Sequence, residues 1–163
     1  MIIPGKPAGP KENLKAMQVL TAALIIGISI FTGIVIIFLS VSGPYLESEP
    51  LLVSKILFYC AIGLALCCYF YARAVYKGKV ETVNNSATPL NDKLNQYRRV
   101  LILYMACCEG PALFSVVALS LTGNYWLLLS TSSMLIAMAV KFPFTQKMIS
   151  LLNVDWIEQQ DLV

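Results

Sequence analysis

The sequence predicts an all-α integral membrane protein, a single membrane domain over 1–163 with four antiparallel transmembrane helices and a short C-terminal interfacial helix. Three observations predict it. Four apolar runs, at about 17–41, 51–71, 100–121 and 125–142, match the length needed to cross a hydrocarbon core about 30 Å thick at about 1.5 Å per residue. The chain is 58% hydrophobic and 13% charged, with mean hydropathy +0.72, whereas a soluble domain has about 45–50% and about 25%. Breaks rich in Gly, Pro and charge separate the runs.

Residues 1–15 hold three prolines, two glycines and three lysines, which reads as a short basic tail. The uncharged run 17–41 exceeds the 7–15 apolar residues of a signal peptide, so it reads as an uncleaved first span. Ser29 and Gly33, four apart, offer a small packing face. Ser42-Gly43-Pro44 ends the span, and Glu47 and Glu49 follow in a short loop. The second span begins near Leu51, with Lys55 one turn inside and able to snorkel. Cys60, Gly63 and Cys67 form a narrow stripe that reads as a packing seam, and all five cysteines read as small apolar packing residues.

The stretch 72–99 carries six basic and two acidic residues and reads as a cytoplasmic loop. Within it, Thr88-Pro89 resembles a helix start, and Leu90, Leu94, Tyr97 and Leu101 follow at helical spacing. Thr122-Gly123-Asn124 is a tight turn before the fourth span, which holds the hydroxyl cluster 130–133 and ends at Pro143. The segment 144–163 reads as an amphipathic tail with Trp156 at the interface. A faint repeat pairs Leu39-Ser40-Val41-Ser42-Gly43-Pro44-Tyr45 with Leu119-Ser120-Leu121-Thr122-Gly123-Asn124-Tyr125, and the same offset sets Ser29 opposite Glu109.

Basic residues crowd the N-terminal tail, the 72–99 stretch and the end of the fourth run, and the two short loops have none. The positive-inside rule then places both termini in the cytoplasm of what reads as a bacterial inner-membrane protein. Tyr69, Tyr71, Tyr76 and Tyr97 would mark the inner interface. The chain has no histidine and no paired carboxylates, so no metal, cofactor or nucleic-acid partner is expected, and the balance is against an enzyme.

The chemistry concentrates at Glu109, near the middle of the third span. A charge there costs at least about 2.5–3.5 kcal/mol, so the carboxyl must be protonated, paired or hydrated. Pro111 frees the Cys107 carbonyl two residues before Glu109. Ser29 lies at a similar depth on the first span and Lys141 about one turn deeper toward the cytoplasm on the fourth, and the two complete the candidate polar site. The run Ala106-Cys107-Cys108-Glu109-Gly110-Pro111, continuing to Leu121, resembles the carboxylate-bearing helix of the rotary ATPase proteolipid (c-type) subunits. That resemblance covers residues 106–121 and implies a proton- or sodium-carrying role for Glu109. The second span has one glycine, Gly63, where that family has a glycine-rich helix.

Two functions follow from these residues. One is a structural or accessory subunit of a membrane assembly, with the bilayer and copies of itself or other membrane subunits as partners. The alternative is a component of ion- or proton-coupled transport working through Glu109.

Overall fold

The protein is described by a computed structural model covering residues 10–44, 51–84 and 90–145. It is all-α, with helices α1 (Pro10–Ser42), α2 (Leu51–Asn84), α3 (Leu90–Thr122) and α4 (Leu127–Val140). α1, α2 and α3 are long and apolar enough to cross a membrane, and α4 is a shorter apolar helix.

Two helices extend past the limits their composition suggests. α1 begins at Pro10, inside the stretch read as a tail. Proline suits a first helical turn, and Leu14, Met17, Thr21 and Ile28 then bury one face. α2 continues from the predicted end near Tyr71 to Asn84, so most of the expected 72–99 loop is helix. Ala72, Tyr76, Val80 and Val83 recur at helical spacing and are buried with Leu94, Tyr97 and Leu101 of α3. Of the basic residues that suggested a loop, Arg73, Lys77 and Lys79 of α2 are exposed beside that buried face. α3 begins at Leu90, beside the expected start, whereas Thr88 and Pro89 lie outside the described residues. The same is true of Glu47, Glu49 and the tail from 146, including Trp156.

α4 is tightened at both ends. The amides of Leu127, Leu128 and Leu129 donate three residues back, as do those of Lys141 and Phe142. These 3₁₀-type bonds extend the helical trace over about 125–142 while the α-helical part stays at Leu127–Val140.

α3 organises the bundle. It packs against each of the other three helices, and α1 and α2 barely touch. Half of its apolar window is buried, against 17% for α1 and 11% for α2. The core forms two clusters along α3, one running from Leu94 to Ala112 and the other from Val116 to Leu119. Between them Ser115 Oγ donates to the Pro111 carbonyl (2.9 Å) and bonds the Ser130 hydroxyl of α4 (3.0 Å). Thr131 and Ser133 bond back to carbonyls of their own helix.

The outer surface of the helices is apolar. Val19, Ile26, Ile30, Ile34, Ile37 and Val41 form an exposed stripe on α1, and Ile56, Leu66 and Phe70 are exposed on α2. Soluble monomers rarely show contiguous apolar surface on this scale. The small-residue seams also face outward: Ser29, Cys60, Gly63 and Cys67 are exposed, and nothing lies within 4 Å of a Cβ built at Gly33 or Gly63. They do not pack within the described chain, because α1 and α2 spend their buried faces on α3 instead.

At one end of the bundle, Gln18 Nε2 donates to the Pro143 carbonyl at 3.0 Å, so the start of α1 meets the end of α4. At the other end the two repeated turns lie together. Gly43 and Gly123 have φ of 73° and 64°, and their amides donate to Leu39 and Leu119 carbonyls respectively. Ser40 and Ser120 each donate three residues back, at 2.7 Å. The sequence repeat is thus one helix-ending motif used twice, a left-handed cap preceded by a hydroxyl bond.

Candidate functional site

Glu109 lies on α3 about 20 Å from its Thr122 end. Two turns of α3 bury Cys108, Pro111 and Ala112 and expose Ala106 and Gly110. Glu109 falls between these faces and is half-buried. Pro111 is buried inside α3, which runs through it without a break. Among the described residues Glu109 makes no hydrogen bond and no ion pair.

The expected partners are engaged elsewhere. Ser29 Oγ donates to the Ile25 carbonyl at 2.8 Å on an exposed face of α1. Lys141 Nζ sits 4.3 Å from the centroid of the Tyr76 ring, a cation–π contact. The structure therefore brings neither Ser29 nor Lys141 to Glu109.

Lys141 instead belongs to a second site. Tyr76 of α2 and Tyr97 of α3 share a buried hydroxyl–hydroxyl bond of 2.8 Å. The Tyr104 ring packs edge-on against Tyr76 at 5.4 Å, and Tyr104 donates to the Ala137 carbonyl of α4 at 3.4 Å. These contacts tie α2, α3 and α4 together, so Tyr76 and Tyr97 sit in the bundle core, not on its surface.

Beside this aromatic cluster a half-open groove of about 970 Å³ runs between α2 and α4, with Tyr104 in its lining. Leu66, Ile136 and Val140 give it apolar walls. Arg73, Lys77 and Lys141 bring three cations to it, and Glu81 one carboxylate. Arg73 Nη1 donates to Tyr69 Oη at 3.3 Å, which holds the guanidinium on the groove face of α2. The sequence carried part of this signal. Tyr69, Arg73, Lys77 and Glu81 recur every four residues and so share one helix face. Lys141 and Tyr104 could not be joined to them without the packing of α3 and α4.

No family model, curated protein or solved structure matches this chain.

Proposed function

We propose that this chain is a four-span integral membrane protein acting as a structural or accessory subunit of a larger membrane assembly. The apolar exterior supports placement in a bilayer, with α4 inserted beside the three longer helices. The basic residues of α1, Lys141 just past α4 and the basic residues of the α2–α3 hairpin favour one cytoplasmic end. The single observation that carries the subunit role is Glu109. A carboxyl near the bilayer midplane, half-exposed and without a hydrogen bond or ion pair among the described residues, needs a polar partner. Ala106 and Gly110 beside it leave room for a helix of another copy or another subunit to come close.

The test is the size of the particle extracted from membranes in mild detergent. Wild type is expected to migrate as an assembly well above its 18.0 kDa chain, and Glu109→Leu is expected to release the chain while keeping its helicity. A wild-type monomer, or an assembly untouched by Glu109→Leu, refutes the role. The same carboxyl supports a second reading, ion- or proton-coupled transport. That reading expects carbodiimide labelling of Glu109 that is absent in Glu109→Gln.

A further inference from the structure

We infer that the groove between α2 and α4 is a binding site for one membrane phospholipid with a net-negative headgroup. The inference rests on the membrane reading above. The lining changes character along the groove in the way a lipid does. At one end Leu66 and Ile136 present an apolar trough. Toward the other, Arg73 and Lys77 of α2 and Lys141 at the end of α4 converge, with Tyr69 between Leu66 and Arg73 along α2 and the Tyr76 ring under Lys141. From Leu66 to Glu81, α2 advances about 22 Å, enough for a headgroup and much of an acyl chain.

Charge selects the headgroup. Three cations against the single carboxylate of Glu81 leave the lining net positive. A phosphodiester with no compensating amine fits that balance better than a zwitterionic head. Two of the three cations are also held in place, Arg73 by its bond to Tyr69 Oη at 3.3 Å and Lys141 by the Tyr76 ring. Basic pockets between helices near the cytoplasmic interface are where anionic lipid heads bind.

The test uses the full chain in detergent, titrated with dioleoyl phosphatidylglycerol or dioleoyl phosphatidylcholine and read by native mass spectrometry. Wild type is expected to prefer phosphatidylglycerol. Arg73→Gln/Lys77→Gln is expected to lose roughly fivefold affinity per cation, roughly twenty-five-fold for the pair, with phosphatidylcholine binding unchanged. Lys55→Gln, which removes one cation near the other end of α2, is expected to bind as wild type. Circular dichroism confirms that each variant keeps its helices. Equal binding of the two lipids by wild type, or an unchanged double variant, overturns the inference. Displacement of the lipid by inorganic phosphate at equal concentration also overturns it, because the site would then be one for a soluble anion. Alkaline carbonate extraction separates the two failures. A chain that stays in the membrane but shows no lipid preference sinks only the lipid site, and a chain stripped from the membrane sinks both.

Discussion

Replacing Gly123 by alanine tests how the end of the bundle where the two repeated turns meet is closed. The residue has φ of 64°, its amide donates to the Leu119 carbonyl at 2.8 Å, and a Cβ added there would lie 3.2 Å from Pro44 Cβ and 3.3 Å from Pro44 Cγ. The left-handed conformation costs an L-residue about 1 kcal/mol. The contact adds about 1 kcal/mol more, because the Pro44 ring is too stiff to move aside. The sum, about 2 kcal/mol, is roughly a thirtyfold fall in the folding constant. Unfolding by SDS in mixed micelles, followed by far-ultraviolet circular dichroism, measures it. A Pro44→Gly partner completes a double-mutant cycle, and the coupling should recover the contact's share. A loss below about 0.5 kcal/mol would refute the left-handed cap. Zero coupling would refute the seating of Pro44 on Gly123.

Three further outcomes are expected. Ser115→Ala removes the hydroxyl shared with Ser130 and should cost about 1 kcal/mol in the same assay, and adding Ser130→Ala should cost less than the sum of the two single changes. Tyr97→Phe leaves the buried Tyr76 hydroxyl without its 2.8 Å partner and should cost about 1–2 kcal/mol, whereas Tyr71→Phe on the exposed face should be neutral in the unfolding midpoint. A small lipophilic maleimide should label Cys60 and Cys67 in the folded protein and reach Cys108, fully buried, only after denaturation, as read by peptide mass spectrometry.

The all-α architecture and the four helices of the described residues were legible because uncharged runs and Gly/Pro breaks report directly on backbone and solvent preference. Two features were hidden for definite reasons. The extension of α2 to Asn84 carries its apolar residues, Ala72, Tyr76, Val80 and Val83, among cations, so local charge masked an amphipathic face. The outward aspect of Cys60, Gly63 and Cys67 was hidden because small residues permit close approach without saying what approaches. The site was legible in part. Glu109 stood out as a carboxyl in an apolar run, but its separation from Ser29 and Lys141 depends on helix rotation that depth along the chain does not encode. The groove was missed for the same reason: Arg73, Tyr104 and Lys141 come from three helices.

The dependence of α1 and α2 on α3 bears on biogenesis. Synthesis delivers the N-terminal half first, and its two helices have almost no surface for each other. A nascent chain paused before Leu90 would hold two separate hydrophobic rods, each still waiting for its docking strip. Emergence of α3 supplies both strips at once, so it acts as the keystone of assembly. Ribosome-stalled intermediates carrying crosslinkers on α1 and α2 should become protected together, when α3 has cleared the exit tunnel, and not one after the other.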